Sequence, residues 1–79
     1  MDEYEATFTI ESNSEARAVD RTLVRLYDTL REESRTIGTD AGDAAAMLEQ
    51  FESLREAAGR HRPGTFTVVL EQRDEPFED

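Results

Sequence analysis

The chain has no cysteine, no tryptophan and no lysine, and it holds a single histidine and only two prolines. Without cysteine there is no disulfide, no thiolate chemistry and no zinc-finger site. No apolar run approaches the roughly 20 residues that a membrane-spanning helix needs. The motifs G-x-x-x-x-G-K, G-x-G-x-x-G and H-E-x-x-H and a nucleophile elbow are all missing, so no cofactor or reaction class announces itself. At 79 residues the chain is one domain, because two independent cores would each be too small to hold.

The missing lysine has a counterpart in what is present. Nineteen Asp and Glu face nine basic residues, all of them Arg, for a formal charge of -10. Arg is less strongly hydrated than Lys and better shaped for fixed pairing with carboxylates. A charge this large repels itself in dilute solution. In molar salt the Debye length falls to about 3 Å and the repulsion is screened. In this the chain resembles the small, acidic, lysine-free uncharacterised proteins of halophilic archaea. The resemblance is one of composition, and it brings no characterised family's motif with it. The first ten residues are acidic and alternating, which is not the plan of a signal peptide, so the expected location is the cytoplasm.

Two periods organise the sequence. From Glu3 to Glu11, Tyr4, Ala6, Phe8 and Ile10 alternate with Glu3, Glu5, Thr7, Thr9 and Glu11, the pattern of a half-buried strand. A helix is predicted over about 13–35, with Ala16, Val19, Leu23, Leu26 and Leu30 on its buried face, Tyr27 at the margin and Val24 on the charged side. Ser12 and Glu15 have capping-box spacing at its start, and Ser14 is a second candidate cap. Thr36 to Thr39, with Gly38, form a turn, and Asp40 caps a second helix over about 40–58, with Asp43 at its third position. That helix buries Ala44, Met47, Leu48, Phe51, Leu54 and Ala58 and ends at Gly59. Arg60 to Gly64 form a linker, and a second strand follows over about 65–72 with Phe66, Val68 and Leu70 inward. The acidic tail 73–79 is frayed.

The helical patterns match as an antiparallel hairpin. Leu30 faces Ala44, Leu26 faces Met47 or Leu48, Leu23 faces Phe51, Val19 faces Leu54 and Ala16 faces Ala58, with Ile37 plugging the turn. The predicted fold is α+β, a β-α-α-β chain with a helical hairpin on a short antiparallel sheet. Two strands alone leave two open edges and are narrower than two helices. Edge-to-edge pairing in a homodimer completes a sheet of four strands with four helices on one side.

No residue stands out as catalytic, cofactor-binding or metal-ligating. His61 lies between Arg60 and Arg62 with no carboxylate partner in view, and reads as an exposed loop residue. Asp40 and Asp43 near Gly42 lack the ligand succession of a cation loop and read as caps. Glu5 and Glu71 come together on the outer sheet face if Phe8 pairs with Val68, but no apolar pocket is there to raise either pKa. Tyr4, Phe8 and Phe66 resemble a base-stacking platform only superficially, since the helices are expected to cover them. Arg17, Arg21, Arg25, Arg31 and Arg35 leave the first helix neutral, and read as ladders with Asp28, Glu32 and its other acids. The reading is of a non-enzymatic homodimeric accessory or protein-interaction module. The alternatives are a nucleic-acid-associated or regulatory protein using the Arg-bearing first helix, and small-molecule or cation binding in a dimer cleft.

Overall fold

The order strand, helix, helix, strand expected from the two periods is the order of the structure. The computed structural model describes residues 2–34 and 41–77. Strand β1 is Asp2–Ile10, helix α1 is Asn13–Glu32, helix α2 is Ala41–Ala58 and strand β2 is Gly64–Gln72. The turn at 36–39, its plug Ile37, the cap Asp40 and the end of the first helix at Arg35 lie outside the described residues, as does the side chain of Asp43.

Alternating residues make β1 and β2 an antiparallel two-stranded ribbon, with Tyr4 opposite Leu70, Ala6 opposite Val68 and Phe8 opposite Phe66. The register corrects the sequence reading by two residues. Glu71 stands opposite Glu3 rather than beside Glu5, and Thr7 meets Thr67 with their hydroxyls 3.4 Å apart. This pairing keeps all the even-numbered apolar side chains on one face.

α1 starts where the capping-box spacing puts it. Ser12, in extended conformation, accepts a hydrogen bond from the Glu15 backbone N–H at 3.2 Å. The Glu15 carboxylate accepts in return from the Glu11 N–H at 2.8 Å. These bonds satisfy donors that the first helical turn leaves free. Only Glu11 and Ser12 separate β1 from α1, so the helix leaves the sheet almost at once. At the far end the Glu33 N–H closes on the Thr29 carbonyl at 2.9 Å.

The core is small. Ala16, Val19 and Leu23 are the buried apolar residues among those described. They are three of the five positions expected on the inner face of α1, and Leu30 is half-buried. Leu26 departs from expectation and is 36% exposed. The next residue, Tyr27, takes the inner margin instead, where the Arg55 guanidinium from α2 lies 4.6 Å from its ring centroid. On α2, Ala44, Met47, Leu48, Phe51 and Ala58 are half-buried, whereas Leu54 is exposed. The two helices pack on each other as a hairpin, but they reach only the base of the ribbon.

Candidate functional site

The apolar face of the ribbon is the feature the fold leaves open. Strand alternation points Tyr4, Phe8, Val68 and Leu70 to the side of the helices, yet they remain 56%, 42%, 50% and 53% exposed. Only Ile10 and Phe66, nearer the linkers, are half-buried. This corrects the expectation that helices cover the aromatic face. The chain enters α1 and leaves α2 at one end of the ribbon, so the helices lie over that end and the far end stays bare.

Between ribbon and helices runs a half-open cleft of about 270 Å³, lined by Ile10, Val19, Leu23, Leu54 and Phe66 among others. A shallower hollow of about 240 Å³ lies beside it against Phe8, Ala18, Thr22 and Phe66. Leu26 sits one turn beyond Thr22 on the same side of α1, so the apolar shelf continues along the helix. Both hollows are mainly apolar, with Arg62 and Thr65 the polar residues of the larger one. No cluster of polar groups converges in either, as orienting a small ligand requires.

His61 is exposed, as its place in the linker implies, but it is not isolated. Its Nε2–H donates to Oδ2 of Asp20, from the middle of α1, at 2.7 Å. Asp20 was not legible as its partner, because the two are 41 residues apart and meet only through the path of the linker. That path bends at His61 itself, whose φ of 51° is left-handed. A third hollow, of about 210 Å³, lies between His61, Arg62 and the start of α1. Beside it the Glu11 N–H is engaged by the Glu15 carboxylate and the Glu15 N–H by the Ser12 hydroxyl.

Among the described residues the arginine ladders expected on α1 do not form. Among the described residues the ion pairs are His61–Asp20 and Arg73–Glu75. The spacing explains this: Arg17, Arg21 and Arg25 succeed one another at intervals of four, which sets like charges side by side. All three are exposed. Among the described residues no group of three or more His, Asp or Glu is placed to hold a metal ion. Nor is any helix there long and apolar enough to cross a membrane.

The site defines a class by its architecture: an α+β chain of β-α-α-β order whose sheet is open on its apolar face and at both edges. Comparison with family models, curated proteins and solved structures finds no match to this chain.

Proposed function

We propose that the protein is a homodimeric accessory or protein-interaction module of the cytoplasm of a salt-accumulating cell. The observation that carries the reading is the surface left exposed. A compact monomer of 9.0 kDa exposes about 4,900 Å², whereas this chain exposes 6692 Å². Its radius of gyration is 14.7 Å, against about 12 Å for a globular chain of this length. Part of the excess is the tail, where Phe77 is almost fully exposed. Among the described residues the ribbon contributes exposed apolar surface at Tyr4, Phe8, Val68, Val69 and Leu70. An excess of roughly 1,800 Å² is on the scale of what one subunit hides in an obligate dimer.

Three buried side chains among the described residues are few for a domain of this size, whose net stability is small in any case. A second copy supplies the missing cover, and edge pairing satisfies backbone groups along the open strands. The nucleic-acid alternative loses support from the ribbon, because Glu3, Glu5 and Glu71 flank the exposed aromatics and repel phosphate. The small-molecule alternative loses support from the apolar lining of both clefts. Analytical ultracentrifugation in molar potassium chloride, across a concentration series, tests the dimer. A species that stays near 9.0 kDa at the highest concentration rules it out. Co-purification from a high-salt lysate tests the module: protein partners that persist after nuclease treatment support it, and nuclease-sensitive ones favour the alternative.

A further inference from the structure

We infer that β2, rather than β1, is the strand at the twofold axis, and that each copy's bare sheet end is covered by the helices of the other. The inference rests on the dimer reading above and names its interface. The two free edges of the ribbon are chemically unlike. β1 carries Asp2, Glu3 and Glu5, with Glu11 just beyond its end. Charges on an edge strand are a common defence against pairing with another chain. β2 has no charged residue from Gly64 through Leu70, and its only acid is Glu71.

Exposure points the same way. Val68, Val69 and Leu70 are consecutive and are 50%, 48% and 53% exposed. Consecutive strand residues point to opposite faces, so β2 carries an exposed apolar residue, Val69, on its outer face beside Val68 and Leu70 on its inner one. A run of that kind on an open edge is a liability unless it is used. On β1 the residue opposite Val69 on this face is the acidic Glu5.

Pairing two copies of β2 about Val68 sets Phe66 opposite the partner's Leu70 and Thr67 opposite the partner's Val69. Thr65 then meets the partner's Glu71, and no like charges oppose one another. Joining the copies through β1 brings Glu3 and Glu5 of both onto adjoining strands, where they repel. The antiparallel arrangement also solves the coverage problem. Phe66 lies under α1 and Leu70 does not, so each Leu70 is carried next to a part of the sheet that the other copy's helices roof. Two helices side by side are about 20 Å wide, whereas two strands span about 10 Å. The roof therefore overhangs onto the neighbouring ribbon, toward Leu70 and Val68.

The absence of cysteine makes the test clean, because one introduced thiol is unique. Single-cysteine variants are made at Thr67, Val68 and Val69 in β2 and at Glu5, Ala6 and Thr7 in β1. Each is checked for folding by circular dichroism and oxidised in molar salt alongside sedimentation of the unmodified chain. Residues facing each other across an antiparallel pair lie within disulfide reach. The expected result is a dimeric chain in which at least one β2 variant forms the intermolecular disulfide tenfold or more faster than every β1 variant. Faster or equal cross-linking through β1, or none through either strand in a dimeric chain, overturns the assignment of β2 and leaves the dimer standing. A chain that is monomeric at every concentration overturns both.

Discussion

The Nε2–H of His61 donates to the Asp20 carboxylate at 2.7 Å, and this one bond ties the α2–β2 linker to the middle of α1. His61 holds a φ of 51°, a left-handed conformation that costs a residue with a side chain about 1–2 kcal/mol. Both partners are about a third exposed, so the bond contributes at the low end of the usual range of about 0.5–1.5 kcal/mol. Replacing His61 with Ala loses the bond and keeps the strain, whereas Gly loses the bond and removes the strain. Chemical denaturation should find His61→Gly more stable than His61→Ala by about 1 kcal/mol. Equal stabilities would mean that the linker relaxes out of the left-handed region when the side chain is lost.

Leu23 and Leu26 separate the real core from the helical wheel. Leu23 is buried at the junction of α1, α2 and the cleft, while Leu26 is 36% exposed. Leu23→Ala should cost about 2–5 kcal/mol, enough to unfold much of so small a domain. Leu26→Ala should cost the isolated chain well under half of that. Thermal melts at low protein concentration make the comparison. Equal losses would place Leu26 in the core after all.

Those two residues also show what the sequence makes legible. The periods of two and of three-to-four are physical consequences of half-burial, so the four elements and their order could be read directly. A wheel with 100° steps sets Leu26 and Tyr27 on opposite margins of the buried face, and the position of the neighbouring helix decides which turns inward. The β register is set by the lengths of Glu11–Ser12 and of 59–63, segments with no period to read. The same linkers set how far the helices reach over the ribbon. The exposure of Tyr4 and Phe8, and the meeting of Asp20 with His61, were therefore beyond pattern alone.

The start of α1 depends on a reciprocal pair. Ser12 accepts from the Glu15 N–H, and the Glu15 carboxylate accepts from the Ser12 hydroxyl at 3.2 Å and from the Glu11 N–H. Ser12→Ala removes the cap and should cost about 1 kcal/mol. Ser14→Ala, at an exposed position inside the helix, should change stability by no more than a few tenths of that. Denaturation midpoints of the two variants decide between the two candidate caps.

The net charge of -10 implies a fold that depends on salt. The α1 segment from Ser14 to Arg35 is neutral, so the strands, α2, the linker and the tail carry the whole excess. Glu3 opposite Glu71 on the ribbon is a direct like-charge pair. Screening should raise the melting midpoint steadily from dilute buffer into molar potassium chloride. A midpoint indifferent to salt would remove the halophilic reading. Reversing one charge with Glu71→Arg should stabilise the chain in dilute buffer and have little effect in molar salt.

Tyr4 ties the exposed face to association. In a lone chain it is 56% exposed, and truncation at such a position ordinarily changes stability by about 0.5 kcal/mol or less. If a second copy covers the far end of the ribbon, the same ring is buried in the assembled state. An aromatic buries on the order of 200 Å² there, and its loss then costs several-fold more. The two situations differ in their dependence on protein concentration, because a dimer's apparent stability rises with concentration by mass action and a monomer's does not. Tyr4→Ala should therefore melt close to the unmodified chain at low micromolar concentration and fall progressively behind it as concentration rises a hundredfold. Leu70→Ala, directly opposite on the same face, should behave in the same way. Equal gaps at every concentration would show that these side chains act within a single chain, and the open face would then have no role in assembly.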